Sequence, residues 1–341
     1  MTSLLLLALL FALPAGTRAG AVGIGGKRGL DTMTVNLYVG GGTGRVLMLD
    51  TADPAYCANL VSTVTGIYYE LPASQPPVRL AGLADEIADR MPDIVAVQEA
   101  SLIRNQSPGA LVLGGITSAT NVICDYLAIL VDALKARGTH YRVAAVTEEM
   151  DVEMPMLNLV TGTYGDARLT DRDAILVRAA LPPGQLRVTH PQSGNFATAI
   201  QMAQAFEVIN GPAKTKLPVV LCGDFNADPL HHTGTATHDA FVAAGFRDTW
   251  TATHPKAPAG GLTWGHDEFL ADPSTSFVWR LDYALYRGAG LDPINSEVID
   301  MAVDRTEHPL WTSEHAAVAA GFLFQPPRPM RVQKTATSSA Q

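Results

Sequence analysis

The sequence predicts a single α/β domain, because segments with helical and strand-like apolar spacing alternate along it and no Pro/Gly/Ser-rich linker divides its middle. The chain has 341 residues, of which 47% are hydrophobic, and this is enough to bury one large core. Beyond the N-terminal segment, no apolar run approaches the roughly 18 residues that a membrane-spanning helix needs.

The predicted elements follow one another in order. Apolar residues between Leu80 and Met91 have helical spacing and end before Pro92, and residues 94–97 follow as a buried strand. A second helix is predicted at 121–137, and Gly138 ends it. Further strands are predicted at 141–146, 174–177 and 218–222, with a helix around 199–209. The glycines at 40–44 lack the Lys-Ser/Thr pair of a nucleotide-binding loop and predict a flexible loop.

The two ends of the chain differ from the middle. Residues 1–19 predict a signal peptide, because an apolar stretch from Leu4 to Leu13 precedes Ala19, a small residue suited to cleavage. The Lys or Arg that usually precedes such a stretch is missing. The domain is predicted at 30–324, and residues 325–341, which are Pro-rich and then polar, predict a disordered tail. The expected location is therefore outside the cell.

The most informative motif is Gly223-Asp224-Phe225-Asn226, which directly follows the apolar run 218–222. Asp224 and Asn226 are two residues apart at the end of a strand, so their side chains lie on the same side at the mouth of a sheet. A carboxylate there can activate water or hold a metal, and a carboxamide can orient a phosphate oxygen. Asp and Asn are also common turn formers after a strand, and the motif alone does not separate these interpretations.

Three other polar residues end or interrupt strand-like runs: Asn36, Glu99 and Asp282. Ser313-Glu314-His315 follows near the C-terminus. Each of them alone fits an ordinary role, such as a turn cap for Asn36 or a solvated strand end for Glu99. Their occurrence in one order, around the motif at 223–226, favours chemistry.

This ordered set resembles the endonuclease/exonuclease/phosphatase superfamily, the DNase I-like metal-dependent phosphodiesterases. Its members carry an Asn on the first strand, then Gln-Glu, Gly-Asp-Phe-Asn, Arg-Ile-Asp-Tyr and Ser-Asp-His. Further matches at 170–176, 245–250 and 262–264 resemble its secreted bacterial branch. The resemblance runs from about Met33 to about Phe322. It implies a four-layer α/β sandwich of two mixed β-sheets flanked by helices.

The resemblance also implies a reaction, the hydrolysis of a phosphoester bond by in-line attack of water. By matched motif position, Asn36 and Glu99 would hold a metal ion, expected to be Mg²⁺ or else Mn²⁺ or Ca²⁺. Asp224 would orient or deprotonate the water, and Asn226 would steady the transition state.

The remaining catalytic residues that the resemblance implies lie in the C-terminal motifs. Asp282 would support the residues that contact the substrate without contacting it itself. His315 would contact the phosphate and stabilise its developing charge. The family's Ser-Asp-His reads Ser313-Glu314-His315, so the carboxylate of Glu314 is retained but is one methylene longer. A displacement of about 1 Å at a catalytic carboxylate can cost on the order of 100-fold in rate.

A larger departure lies between Asp173 and Asp224. Family members carry there a strand ending in Thr-His-Leu-Glu, whose His acts in catalysis. The only histidine in this interval, His190, is followed by Pro191, and it is predicted to lie on a loop outside the site. A second hypothesis is therefore a degenerate, non-catalytic phosphate- or metal-binding relative or a truncated gene product. The motif set favours the enzyme.

Charge and cysteine content restrict the partners. The formal charge of −9 and the pI near 5.4 argue against a broad basic face that holds nucleic acid. The expected substrate is a phosphate ester, which could be nucleic acid, a phospholipid or a small phosphoester. No feature implies a stable protein partner, and a monomer is expected. Three cysteines allow at most one disulfide within the chain, and Cys222 is predicted to be a small buried hydrophobe.

Overall fold

The computed structural model describes residues 4–10, 29–116, 118–180, 192–194, 198–234, 236–273, 276–304 and 310–324. Its strands are β1 (Leu4–Leu10), β2 (Gly29–Asn36), β3 (Ile94–Gln98), β4 (Leu102–Gln106), β5 (Asn121–Asp125), β6 (Tyr141–Asn158), β7 (Thr163–Arg178), β8 (Gln192–Gly194), β9 (Val219–Asp224), β10 (Arg247–Asp248), β11 (Asp282–Arg287), β12 (Leu291–Ile299), β13 (Ala302–Asp304), β14 (Leu310–Trp311) and β15 (Ala317–Phe324). Its α-helices are α1 (Gly44–Leu47), α2 (Tyr56–Glu70), α3 (Pro76–Arg90), α4 (Tyr126–Ala136), α5 (Thr198–Asn210), α6 (Thr237–Ala243) and α7 (Thr249–Thr253), and short 3₁₀ helices occupy Leu71–Ser74 and Leu111–Leu113.

The larger sheet has eight strands in the order β12-β15-β2-β3-β7-β4-β5, with β6 paired to β7. Strands β2 and β3 are parallel, and Asn36 lies opposite Gln98 where both strands end. The other pairs in this sheet are antiparallel, so the sheet is mixed. Because the carboxyl ends of two parallel strands meet at one edge, Asn36 and the residue after Gln98, Glu99, come together there.

The smaller sheet has five strands in the order β10-β11-β9-β1-β8. All of its described strand pairs are antiparallel, whereas the resemblance implied that both sheets are mixed. The last residue of β9, Asp224, lies opposite the first residue of β11, Asp282. This register places two carboxylates side by side at the edge of the sheet.

The two sheets pack face to face between outer helices. One core cluster joins Ile94 and Val177 of the larger sheet to Val220 and Cys222 of the smaller one. A second cluster packs α3 and α4 on the outer face of the larger sheet, and a third packs α5 and α6 on the smaller sheet. The result is a four-layer α/β sandwich, and the predicted DNase I-like fold class is confirmed.

The prediction of a helix from residue 121 is wrong. Residues Asn121–Asp125 form β5, which pairs with β4, and the helix begins only at Tyr126. The side chain of Asp125 accepts a hydrogen bond from the backbone N–H of Ala128 at 3.1 Å, which caps the helix and ends the strand. The predicted strands at 141–146 and 174–177 are parts of the much longer β6 and β7, and α2 was not predicted.

Of the predicted signal peptide, only Leu4–Leu10 is described, and it forms β1 between β8 and β9. The predicted tail at 325–341 and the predicted loop residue His190 lie outside the described residues. No helix within the described ranges combines the length and the apolar character needed to cross a membrane.

Candidate active site

The predicted site residues lie at one edge of the sandwich, where β2, β3 and β9 end and β11 begins. Asn36 and Asp224 are the last residues of β2 and β9, and Asp282 is the first residue of β11. Glu99 directly follows β3. The fold therefore brings together residues that are far apart in the sequence, and the amide of Asn36 contacts Asp224 at 3.2 Å.

Asp224, Asp282 and His315 form what we call the histidine cluster. Each offers one ligand atom, and these atoms lie within 4.8 Å of one another. Nδ1 of His315 hydrogen bonds to Asp282 at 2.7 Å, and the hydroxyl of Thr263 donates to the same carboxylate oxygen at 2.7 Å. All three side chains of the cluster are buried. The imidazole is thus held by a carboxylate, which is held in turn by a hydroxyl.

The surroundings of His315 keep it positively charged. Burial lowers the pKa of this imidazole, but the carboxylates of Asp282, Asp224 and Glu314 outweigh that effect and raise the pKa to about 10. Its Nε2 is buried and has no hydrogen-bond partner among the described residues, and it lies 4.0 Å from Glu314. A protonated Nε2 can therefore donate a hydrogen bond to an anionic group that enters the site.

Asp224 is held in one orientation by amide groups. It accepts hydrogen bonds from the backbone N–H of Asn226 at 2.9 Å and from the Asn226 side chain at 3.1 Å, in addition to that from Asn36. Burial and the neighbouring Asp282 carboxylate raise the pKa of Asp224 to about 7. A carboxylate whose pKa lies near neutrality is suited to accept a proton from water.

Three residues around the site have a left-handed backbone, which is uncommon for residues other than glycine. Tyr38, Glu99 and Asn226 have φ angles of 56°, 52° and 46°. Two of these turns are closed by site side chains, because Asn36 accepts from the N–H of Tyr38 and Asp224 accepts from that of Asn226. Such conformations cost on the order of 1 kcal/mol or more and concentrate at functional sites.

A buried arginine connects the strands that carry the site. Arg79 of α3 donates hydrogen bonds to the backbone carbonyls of Leu37 at 2.9 Å and Thr312 at 2.7 Å. Leu37 follows Asn36, and Thr312 lies three residues before His315. Because the carbonyls fix both segments to one guanidinium, Arg79 is a positioning residue for the two sides of the site.

A second group of acidic residues lies beside the histidine cluster, and we call it the carboxylate cluster: Glu99, Asp171, Asp173 and Glu149. Burial and the carboxylates of Asp171 and Glu314 raise the pKa of Glu99 to about 8. Burial, a hydrogen bond that protonated Asp173 donates to Glu149, and the charge of Glu149 raise the pKa of Asp173. Negative charge is therefore concentrated around Glu99.

Sequence reasoning assigned no role to three members of this cluster. Asp171 and Asp173 were part of a matched motif, and their spacing of two along β7 puts them on one face of the sheet. Glu149 lies on β6, where the register shifts between Glu148 and Met150. A bulge of this kind redirects one side chain, and the sequence carries no signal for it.

The donor atoms around Glu99 fit a hard divalent cation. Asn36 and Glu99 supply only oxygen ligands, which Mg²⁺ and Mn²⁺ prefer. The raised pKa of Glu99 means that its charge is poorly compensated, as expected for a carboxylate that a cation would neutralise. The histidine cluster fits less well, because His315 in it is protonated, and a protonated ring nitrogen cannot ligate a cation.

The site opens into a pocket of about 600 Å³, which we call the catalytic pocket. Glu99, Asn226 and Glu314 line it, and the stacked rings of Trp264 and Trp279, 4.6 Å apart, form one wall. Further lining residues include Tyr38, Gln201, His232, Thr233 and Glu268. None of the described lining residues is Lys or Arg, so no lysine or arginine of that lining binds a phosphate group in this pocket.

The structure brings all seven predicted site residues to this pocket or to the buried layer beneath it: Asn36, Glu99, Asp224, Asn226, Asp282, Glu314 and His315. The pKa of Glu314 is raised, chiefly by burial, and its side chain hydrogen bonds to Trp264. The individual roles of the seven residues stay predictions.

Comparison with known proteins gives a consistent result. A model of the endonuclease/exonuclease/phosphatase family matches residues 33–315, which confirms the resemblance carried by the motifs. None of the curated proteins matches the chain.

Several solved structures are similar to the chain in fold. One is an endonuclease/exonuclease/phosphatase family protein from Leptotrichia buccalis, at 15% identity and a TM-score of 0.47 over 86% of this chain and 100% of the other. A mannosyl-6-phosphatase from Bacteroides thetaiotaomicron has 16% identity and a TM-score of 0.48 over 86% of this chain and 100% of its own. Truncated TDP2 from Caenorhabditis elegans has 13% identity and a TM-score of 0.43 over 86% and 98%.

Proposed function

Since the chain belongs to the endonuclease/exonuclease/phosphatase family, we propose that it is a metal-dependent hydrolase of phosphoester bonds. The observation that carries this proposal is the buried pair of His315 and Asp282 beside Asp224, at the floor of the pocket that Glu99 lines. A charged hydrogen-bond donor, a carboxylate with a pKa near neutrality and a set of oxygen ligands converge there. These are the parts that hydrolysis of a phosphoester by water requires.

The chain's own residues divide the work as follows. Asp224 orients the attacking water and accepts its proton, and Asn226 together with Asn36 holds that carboxylate in place. His315, kept protonated by Asp282, donates from Nε2 to a phosphate oxygen as negative charge develops. A bound Mg²⁺ or similar cation, held by Glu99 and Asn36, would supply the positive charge that neutralises the phosphate.

The second candidate function is binding without catalysis, and one observation favours it. In the smaller sheet, β1 lies between β9 and β8. The sequence of β1 contains only Leu and Ala. A strand of that composition supplies no catalytic histidine. In this candidate the site holds a phosphate or a metal ion but does not turn over.

Hydrolysis of a diester and a monoester distinguishes the candidates. With bis(p-nitrophenyl) phosphate and p-nitrophenyl phosphate as probes, we expect turnover that requires Mg²⁺ or Mn²⁺ and stops with EDTA. Asp224→Asn should lower kcat/KM by at least about 100-fold. Asp151→Asn, at a surface ion pair with Arg168, should leave it nearly unchanged. Turnover that resists the chelator contradicts the mechanism, and Mg²⁺ binding without turnover of either probe supports the second candidate.

We also propose that the protein is secreted as a monomer, with residues 1–19 removed. The proposal rests on the apolar stretch at the N-terminus, and it has a structural consequence. Removal of Leu4–Leu10 would free the edge of β9 from Val219 to Cys222. Sequencing the N-terminus of protein recovered from the medium of a secreting bacterial host tests this. A start near Gly20 supports secretion, and an intact Met1 on cell-retained protein contradicts it.

A further inference from the structure

An apolar cavity of about 140 Å³ lies beside the catalytic pocket. Val46 of α1 and Val64 and Ile67 of α2 form one wall, and Met150, Val152 and Met154 of β6 form the other. An apolar cavity of roughly 150 Å³ in another protein is large enough to bind benzene. This cavity therefore has room for a ring or for about six carbons of an alkyl chain.

The cavity adjoins the catalytic pocket at the loop after β2. Val39, Gly41 and Thr43 line both of them. The N–H of Val39 donates to Glu99 at 2.8 Å, and its carbonyl accepts from the hydroxyl of Tyr126 at 2.9 Å. The apolar space thus begins at a residue that directly contacts the proposed metal ligand, and both hydrogen bonds fix that residue in place.

Glycines let this loop lie close to the neighbouring helices. Gly40 has a φ of 91°, and a Cβ there would lie 2.6 Å from the hydroxyl of Tyr126. A Cβ at Gly41 would lie 3.2 Å from the side chain of Ile67. The glycines that the sequence predicted to be a flexible loop are therefore closely packed against Tyr126 and Ile67.

The outer end of the cavity reaches the protein surface at apolar side chains. Leu47 lines the cavity and is 55% exposed, and the adjacent Met48 is 86% exposed. Polar side chains in the lining are few, namely Thr43, Tyr68 and Arg168. A sugar or a nucleobase placed here would leave polar groups unpaired, which costs free energy, whereas an alkyl chain would not.

We propose that this cavity binds the apolar part of the substrate, so that the enzyme acts on amphiphilic phosphoesters, with the phosphate in the catalytic pocket and an alkyl, acyl or aryl group beside α2. This inference rests on the proposed function for its reacting group. The occupant follows from the shared lining, because Val39, Gly41 and Thr43 border both spaces and the N–H of Val39 contacts Glu99 directly. It narrows the substrate from any phosphate ester to one with an apolar substituent.

A series of esters tests the proposal. The probes are p-nitrophenyl phosphodiesters whose second alcohol is methyl, butyl, hexyl or decyl, all used below their micellar concentrations. We expect kcat/KM to rise about twofold to fourfold for each added methylene. The rise should level off near six carbons, because the cavity is then full.

Two variants locate the effect. Ala167→Phe places a ring in the cavity and should abolish the dependence on chain length, so that the hexyl and decyl esters react no faster than the methyl ester. Ala81→Phe makes the same change in a separate groove that shares no residue with either space, and it should keep the full dependence. If Ala167→Phe does not fold, Met154→Ala enlarges the cavity instead and should move the plateau to longer chains.

Binding of methyl, hexyl and decyl phosphate, followed by calorimetry, separates this inference from the proposed function. If the longer chains bind more tightly and Ala167→Phe removes this gain in affinity, the apolar subsite is supported even when no ester is hydrolysed. In that case only the proposed function fails. Hydrolysis and binding that are independent of chain length overturn the inference and leave the hydrolase intact. A dependence on chain length that persists in Ala167→Phe also overturns it.

Discussion

The histidine cluster and the carboxylate cluster lie side by side, but their charges are balanced in different ways. In the first, the imidazolium of His315 stands against the carboxylates of Asp282 and Asp224, and the pKa of the imidazole rises to about 10. In the second, Glu99 is buried among other carboxylates, and its pKa rises to about 8. One cluster carries its own cation, and the other is built so that a cation from outside would stabilise it.

This difference separates two tasks that a phosphoesterase site has to perform. A fixed positive charge at His315 can contact the phosphate without reorganisation when the reaction occurs. An acidic cluster repels a phosphate until an ion is bound, so under the proposed function we expect substrate binding at Glu99 to depend on the metal. The absence of Lys and Arg from the described lining of the catalytic pocket strengthens that dependence.

The largest expected effect follows from neutralising Glu99. Glu99→Gln keeps an oxygen that can accept from the N–H of Val39 but loses the negative charge. We expect kcat/KM to fall about 1,000-fold and the Mg²⁺ concentration for half-maximal rate to rise at least about tenfold. The matched change in the same cluster, Asp171→Asn, should cost only about tenfold. The measurement is a Mg²⁺ titration of the hydrolysis of bis(p-nitrophenyl) phosphate.

An unchanged Mg²⁺ requirement in Glu99→Gln would break the comparison. It would mean that the ion binds elsewhere, and the histidine cluster, whose ligand atoms lie within 4.8 Å of one another, would then be the alternative.

A smaller loss of rate is expected when His315 loses the charge of its carboxylate partner, Asp282. Asp282→Asn removes the charge that keeps His315 protonated, while the amide can still occupy the place opposite Asp224. We expect kcat to fall about 100-fold. The alkaline limb of the pH–rate profile, which the His315 pKa of about 10 sets, should move toward neutral pH. The pH–rate profile measures both, and NMR titration of the imidazole reports the pKa shift independently. An alkaline limb that does not move would show that His315 is not the group that titrates.

The part of the site that the sequence predicted is the part carried by strand ends. Asn36, Glu99 and Asp224 each terminate an apolar run, so their place at one edge of the sheets follows from the pattern. The helix predicted from residue 121 fails, because Ile123 has the same helical spacing as the apolar residues of α4 but lies on the edge strand β5. The hydrogen bonds to β4, which no local pattern reveals, decide its conformation.

The carboxylate cluster and the apolar cavity required the tertiary structure. Glu149 reaches Asp173 only because β6 has a bulge there, and a single inserted residue in a long hairpin leaves no periodic signal. The cavity draws its walls from α1, α2 and β6, which are separated by up to about 100 residues along the chain. Contacts of that separation depend on the packing of whole elements.

The smallest expected effect concerns the stability of the metal-free protein as a function of pH. The folded pKa values of Glu99 and Asp224, about 8 and about 7, lie above their ordinary values of 4.5 and 3.8. A group with a raised folded pKa stabilises the folded state fully below its unfolded pKa, and the contribution is lost as pH rises through the folded value. The free energy of unfolding should therefore fall between pH 5 and pH 8, by at least about 1 kcal/mol for each group.

Urea unfolding in EDTA at pH 5, 6, 7 and 8 measures this fall. Glu99→Gln has no carboxyl group to titrate and should flatten the profile, whereas Asp171→Asn, which removes one repelling neighbour of Glu99, should flatten it less. Saturating Mg²⁺ should reduce the fall in the unaltered protein and have little effect in Glu99→Gln, because the stabilisation by an ion that binds only the folded state increases with the logarithm of its affinity. Stability that rises from pH 5 to pH 8 in EDTA would contradict the assignment of uncompensated charge to the carboxylate cluster. An Mg²⁺ effect of equal size in both proteins would place the ion beyond the reach of Glu99.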